Sequence, residues 1–300
     1  MDEGDVQAAT TADREEILEL ITAEQADPSH AIPYLGEHRI GIEAELADLQ
    51  PAWLGTARLA RENGRLVGLA LAEWDPEAGR AWIFGPWVAG ASDDSWDRWS
   101  GALLGAVIEQ LPAAVDDREI CGDVANTRLA RLAGDLGWAA GVVNHIFVAD
   151  ATAARSWPVD EAPLRPVTAA DLPALRPLHD QEFPATYATA DQLLTRATDG
   201  SWTVLVAEYD GVFAGYAAGH VQPDGDGFLS FLATTPEARG RGLGAALVAA
   251  VGRRLIETAP HANVNLTVED TRAPARRLYE RLGFRLEASL CAYRSRPSSR

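Results

Sequence analysis

Arg239-Gly240-Arg241-Gly242-Leu243-Gly244 is the stretch on which the reading of this 300-residue chain turns. It follows an apolar run, Phe228 to Ala233, and precedes a helical pattern that begins near Leu243. That order reads as strand, glycine-rich turn, helix start. A helix start leaves its first N–H groups without intrahelical partners and carries a partial positive charge, so it suits an anion. Three glycines let a bulky diphosphate approach the backbone. Arg239 and Arg241 add charge and fork-shaped donors. The stretch lacks the Lys-Ser/Thr ending of a Walker loop, and its R-x-x-G-x-G spacing is not the G-x-G-x-x-G of a dinucleotide fold. Alone, such a turn is also compatible with arginines that simply face solvent.

A second motif lies downstream. Val264-Asn265-Leu266-Thr267-Val268 alternates apolar and polar residues, as a strand does. Pro274 suits the first turn of a helix, and Gly283 is a natural stop. Leu278 and Leu282 lie four apart and share a helix face, as do Ala275 and Tyr279. The run from Leu232 through the glycine turn resembles the acyl-CoA pyrophosphate loop of the GCN5-related N-acetyltransferases, the GNAT superfamily. Ala275, Leu278, Tyr279, Gly283 and Phe284 resemble the closing A-x-x-L-Y-x-x-x-G-F segment of that superfamily. Arg272 stands three residues before Ala275, where the family often has Asn.

The resemblance implies an α/β (α+β) fold with a mixed, mostly antiparallel central sheet flanked by helices. It implies acetyl-CoA as co-substrate, transfer of its acetyl group to an amine, and no metal. Leu232, Ala233 and Thr234 would offer strand backbone to the pantetheine arm. Arg239, Gly240, Arg241, Gly242, Leu243 and Gly244 would hold the pyrophosphate, and Arg272 would reach a phosphate. Tyr279 would give a proton to the departing thiolate. The general base is not fixed by the motifs. Some members place a carboxylate on the strand before the loop, where this chain has Ser230. His179, Asp180, Glu182, Glu208 and His220 are candidates, and Glu182 and His220 are carried forward with Tyr279. Phe183 to Tyr187 reads as a substrate-side loop.

Composition bounds the rest. Two domains of ordinary size fit the length. No apolar stretch is long enough to span a membrane. The acidic start, Met1-Asp2-Glu3-Gly4-Asp5, does not read as a secretory signal. The two cysteines, Cys121 and Cys291, are far apart, which argues against a disulfide framework and fits a cytoplasmic setting. The basic residues are all arginine. Residues 1–150 hold 27 acids and 10 arginines, whereas residues 151–300 hold 17 and 16. Within 239–285 there are nine arginines and four acids, a local basic patch around the phosphate turn. A pI near 4.7 argues against a nucleic-acid partner. The acidic half serves solubility or attracts a cationic amine.

An internal repeat organises the chain. Thr10-Thr11-Ala12-Asp13 resembles Thr168-Ala169-Ala170-Asp171, each able to cap a helix. Leu59 to Gly68 matches Val206 to Gly215, with the hairpin dipeptides Asn63-Gly64 and Asp210-Gly211. Asn126, Leu129 and Leu136-Gly137-Trp138 mirror Arg272, Ala275 and Leu282-Gly283-Phe284. Two tandem GNAT folds follow: a degenerate copy over 1–150, a linker over 151–163, and a catalytic copy over 164–300. This two-copy arrangement is similar to that of mycothiol-synthase-like enzymes. Trp157 is expected to dock on a domain surface, and Ser295 to Arg300 to be disordered. In the first copy the phosphate turn falls near Ser92 to Asp97, which has acids and no glycine. That copy is then a scaffold, or it lines the acceptor pocket, or it has its own ligand. Trp82, Trp87, Trp96 and Trp99 are expected in core or interface.

The acceptor expected is a small-molecule amine or a peptide N-terminus, with neither nucleic acid nor membrane as partner, and a homodimer is compatible with the sequence. The competing reading is a non-catalytic acyl-CoA-binding sensor or partner-binding protein, which would keep the loop without needing Tyr279.

Overall fold

A computed structural model describes residues 5–90, 92–158, 163–184 and 186–295. They fall into two contact-defined units. The first comprises the chain up to Asn144 together with the stretch from Ala288, and the second is His145–Glu287.

The first unit contains β1 (Val6–Ala8), α1 (Arg14–Gln25), α2 (Arg39–Asp48), α3 (Trp53–Thr56), β2 (Arg58–Glu62), β3 (Arg65–Asp75), β4 (Arg80–Val88), α4 (Asp93–Glu109), β5 (Asp117–Asp123), α5 (Thr127–Asp135) and β6 (Ala139–Ala140). The second begins at β7 (Asn144–Asp150) and continues through α6 (Ala151–Ala154), β8 (Leu164–Pro166), α7 (Leu172–Glu182), α8 (Ala190–Thr198), β9 (Thr203–Tyr209), β10 (Val212–Val221), β11 (Gly227–Thr234), α9 (Leu243–Thr258), β12 (Asn263–Glu269) and α10 (Ala273–Arg281). The last strand, β13 (Arg285–Arg294), starts in the second unit and ends in the first.

Both units solve the same local problems with the same residues. Thr10 with Asp13, and Thr168 with Asp171, form capping boxes ahead of α1 and α7. Asn63-Gly64 and Asp210-Gly211 close the β2–β3 and β9–β10 hairpins with positive φ at both positions, 50° and 78° in one, 52° and 75° in the other. Such a turn matches the right-handed twist of the flanking strands. In the second unit the sheet runs β7-β12-β11-β10-β9-β8, with β11 and β12 parallel and β8 to β11 antiparallel. On one face Leu247, Val251 and Leu255 of α9 pack with Leu229, Val264 and Leu266. On the other, Leu175, Leu178 and Leu193 of α7 and α8 cover Val204, Val206 and Tyr216.

Two boundaries differ from the sequence-based expectation. Residues 145–158, assigned partly to the first copy and partly to a linker, are core of the second unit. Phe147, Ala149, Ala154 and Trp157 belong to its main cluster. Trp157 is only 2% exposed, stacks on Phe284 with ring centroids 5.6 Å apart, and donates from Nε1 to the Leu282 carbonyl. Conversely, the end of β13 pairs with β5, from Leu290 opposite Asp123 to Arg294 opposite Glu119. Sheet pairing sets both assignments, and pairing partners distant in sequence leave no local mark. Ser295, expected to be disordered, donates from its N–H to the Arg118 carbonyl. Residues 296–300, and 159–162 of the expected linker, lie outside the described residues. Among the described residues no helix is long and apolar enough to cross a membrane, and no His, Cys, Asp or Glu group could hold a metal ion.

Candidate functional site

The site is built where β11 parts from its parallel neighbour. The ladder between β11 and β12 holds only at Gly227 opposite Val264 and Phe228 opposite Asn265. Beyond Phe228, β11 pairs with β10 on its other side alone. The β12-facing backbone groups of Leu232, Ala233 and Thr234 thus lie on an open edge, which needs a partner. The β10–β11 register also slips. Ala218 lies opposite Phe231 and Gly219 opposite Leu229, so Ser230 is a bulge residue.

The glycine turn follows directly. Gly240 and Gly242 have φ of 76° and 80°, a region that β-carbon-bearing residues avoid. A β-carbon placed on either would meet nothing within 4 Å. Backbone conformation therefore demands glycine there, and the space in front of the backbone is open. Gly242 is the residue that caps α9, so the first N–H groups of a 16-residue helix face that space without a side-chain cap. Gly244 is 3.5 Å, measured from a β-carbon built on it, from Leu278 of α10, which brings the two sequence motifs together. An anionic diphosphate carried on an extended arm fits this combination of open strand edge, helix N-terminus and nearby arginines.

Three of the expected site residues converge, in an arrangement the sequence does not announce. Arg239 donates to Glu182 Oε1 at 2.9 Å, and Arg272 donates to Oε2 at 2.9 Å and to the Glu182 carbonyl at 3.2 Å. Glu182, at the end of α7, therefore clasps the phosphate turn to the start of α10. Both carboxylate oxygens accept from guanidinium groups, so Glu182 serves as the shared counter-charge of the two arginines. Arg241 instead lies 4.1 Å over the Tyr209 ring and donates to its hydroxyl at 2.6 Å.

The remaining base candidates separate cleanly. His179 is buried, with Nδ1 against the Tyr216 hydroxyl at 2.5 Å and Nε2 against the Ala188 carbonyl at 2.7 Å, so both nitrogens are committed. Asp180 lines a small cleft of about 340 Å³ with Phe183, Pro184, Thr186 and Thr189. Glu208 is paired with Arg165 at 2.7 Å. His220 differs from these. Its Nδ1 lies 3.2 Å from Ser230 Oγ at the bulge, and its ring stacks on Trp202 with centroids 4.3 Å apart. Burial, reinforced by the charge of Arg196, pulls its pKa below the ordinary 6.5, so at neutral pH the imidazole is neutral. Tyr187 stacks on Phe231 with ring centroids 5.2 Å apart. Arg196 lies 4.7 Å over the other aromatic of this group, Trp202. Trp202, Arg196 and Tyr209 carry no sequence signal. They reach the site through the β9–β10 hairpin and α8, whose pairing the sequence motifs do not record.

Tyr279 is buried among Phe147, Phe284 and the α9 side chains. Burial pushes its pKa up, so it stays protonated. No described group hydrogen-bonds its hydroxyl, which leaves that proton available to a ligand.

The first unit departs at each equivalent point. Leu69 lies opposite Trp87 where Tyr216 lies opposite Ala233. Pro86 thus occupies the place of Leu232 and has no N–H to donate. Its α4 begins with Asp93 and Asp94 after the cap Ser92. Arg128 and Arg131 of α5 are spent on Asp93 and Asp97.

Known proteins share this fold. Residues 172–284 match the model of the acetyltransferase (GNAT) family. Among solved structures, a GCN5-related N-acetyltransferase from Sphaerobacter thermophilus is 19% identical with a TM-score of 0.66, covering 99% of this chain and 97% of the other. A tandem GNAT protein from the clavulanic acid biosynthesis pathway is 17% identical with a TM-score of 0.56, covering 99% of each. A GNAT-family acetyltransferase from Colwellia psychrerythraea is 11% identical with a TM-score of 0.54, covering 97% of this chain and 99% of the other. At these identities the likeness is one of fold, and it extends over the whole chain. No curated protein sequence matches.

Proposed function

We propose that the GNAT acetyltransferase domain formed by residues 172–284 works as an acetyl-CoA-dependent N-acetyltransferase, and that the second unit alone carries the reaction. The observation that supports this most is the open edge of β11 running into a turn whose glycines hold φ near 80° with empty space before them. A protein that needed only a strand-to-helix connection would have no use for either.

The chain's residues divide the work. The backbone of Leu232, Ala233 and Thr234 holds the arm, and the α9 N-terminus with Gly240, Gly242 and Gly244 holds the diphosphate. Arg239, Arg241 and Arg272 neutralise its charge. Acetyl-CoA supplies an acyl group activated as a thioester: the amine nitrogen bonds to the carbonyl carbon as the C–S bond breaks. A backbone N–H beside the bulge polarises the carbonyl. His220, neutral at pH 7 and hydrogen-bonded to Ser230, takes the proton that the attacking nitrogen releases, directly or through the Ser230 hydroxyl. Tyr279 gives its proton to the departing thiolate and regains one from solvent.

Calorimetric titration of acetyl-CoA into the wild-type chain and Gly242→Trp tests the site. One binding event, lost in the variant, supports it. Two events would mean that the first unit also binds, and none would remove the transferase reading. Thiol release with a panel of amines then separates an enzyme from a non-catalytic acyl-CoA sensor, since turnover with any amine eliminates the sensor.

A further inference from the structure

A cleft of the first unit lies at the other end of β4 from the turn that precedes α4. It has a volume of about 660 Å³ and is lined by Tyr34, Leu49, Gln50, Glu73 to Pro76, Trp82 and Phe84. Strand register sets its chemistry. Glu73 lies opposite Trp82 across the β3–β4 pair, so the carboxylate and the indole share one face of the sheet. Phe84 is two residues further along the same face. Tyr34, arriving from the α1–α2 connection, lies against Phe84 with ring centroids 5.2 Å apart. The Tyr34 hydroxyl donates to Glu119 at 2.7 Å, which fixes that ring in place. Tyr34, Trp82 and Phe84 thus line the cleft together with Glu73 and with Asp75, whose carboxylate accepts from the Glu77 and Ala78 N–H groups.

Glu73 is half-buried and has no ion-pair or hydrogen-bond partner among the described residues. That is unusual in this unit, whose acids are widely engaged by arginines, as at Asp13, Glu16, Glu43 and Asp117. A half-buried carboxylate without a counter-charge calls for a cation. Indole faces supply a second attraction of the same sign. Trp82 already attracts one cation: the Arg80 guanidinium lies 5.7 Å from its ring centroid. Arg80 is held by Asp117 at 3.1 Å and is not among the residues lining the cleft, so the cleft itself has no resident positive charge. The surrounding half of the chain, with 27 acids against 10 arginines, favours approach of a cation.

We propose that the first unit carries a separate site for an organic ammonium ion, held by Glu73 against Trp82, Phe84 and Tyr34. The degenerate copy has thus exchanged an anion site at its helix start for a cation site at the other end of β4. No chemical step is attributed to it.

Choline and its uncharged isostere 3,3-dimethylbutan-1-ol, titrated calorimetrically into the full chain, test the site, because they differ in charge and hardly in shape. The expected result is that choline binds about tenfold or more tightly than the alcohol. Glu73→Gln and Trp82→Ala should each weaken choline about tenfold, and Trp82→Phe should restore part of the loss. Trp82→Phe also guards against misfolding of the alanine variant, and Gly242→Trp should leave choline binding unchanged. Equal binding of the two ligands would reduce the cleft to an apolar groove and overturn the proposal. Binding insensitive to both Glu73→Gln and Trp82→Ala, or no binding of choline at tens of millimolar, would overturn it as well.

Discussion

At Gly242 two effects can be pulled apart. The residue sits at φ 80° with nothing within 4 Å of a built β-carbon. Alanine there meets no atom, so its cost is conformational alone, about 1–2 kcal/mol. Tryptophan carries the same backbone cost and also fills the open space. Gly242→Ala and Gly242→Trp should therefore lower the thermal midpoint by similar amounts, while only the tryptophan removes acetyl-CoA binding. If alanine abolished binding equally, the glycine would be serving the fold and not a ligand. His220 gives a prediction of a different kind. Its folded pKa is depressed by burial, so between that value and about 6.5 the unfolded chain binds more protons than the folded one. The stability it confers is full above about pH 6.5 and is lost as pH falls toward the folded pKa. Denaturant midpoints of the wild type should fall across that window more than those of His220→Gln, and kcat/KM should rise with pH over the same limb and lose it in the variant. At this scale the glycines were legible because a positive φ leaves few residue choices. His220 was legible only as one of several polar residues, since its distinction rests on Ser230 and Trp202, ten and eighteen positions away.

Between elements, the contact to test is the clasp of Glu182 on Arg239 and Arg272. The arginines are 56% and 50% exposed, so each pair is worth at most about 1 kcal/mol. A diphosphate that claims these arginines must displace the carboxylate. Glu182→Gln should therefore tighten acetyl-CoA binding by a few-fold at low ionic strength, with the difference shrinking as salt is raised. Weaker binding in the variant would show that the clasp holds the turn in its binding conformation, and would reverse the sign of this argument. The elements themselves were largely readable. Hairpin dipeptides, capping boxes and the Leu247, Val251, Leu255 stripe are local patterns with local causes. Their junctions were not. Glu182 was singled out as a base, and nothing near it in the sequence says that two arginines, 57 and 90 positions away, occupy its oxygens.

For the whole molecule, the question is where one folding unit ends. The repeat places a boundary after residue 150, because repeats are counted from equivalent residues. Packing places it at His145, because Phe147, Ala149, Ala154 and Trp157 complete the core beneath α9 and α10. A β-carbon on Gly252 would approach the Trp157 ring at 2.7 Å, which shows how closely α9 is fitted to it. Removing one such buried aromatic costs about 3–5 kcal/mol. Trp157→Ala should accordingly lower the thermal midpoint of the second unit by several degrees while leaving the first unit's transition in place. A fragment of residues 164–300 loses Phe147 and Trp157 together, on the order of 6–10 kcal/mol, comparable to the whole stability of a domain of this size. It also carries the end of β13 without its partner β5, an unpaired strand that invites aggregation. A fragment of residues 145–287 keeps the first four core residues and ends before the part of β13 that pairs with β5. Expressed separately, 145–287 should melt cooperatively and bind acetyl-CoA within a few-fold of the full chain, whereas 164–300 should show no cooperative transition. If 164–300 folded and bound while 145–287 did not, the repeat boundary would be the physical one, and the pairing of β13 with β5 would be incidental to the second unit's stability.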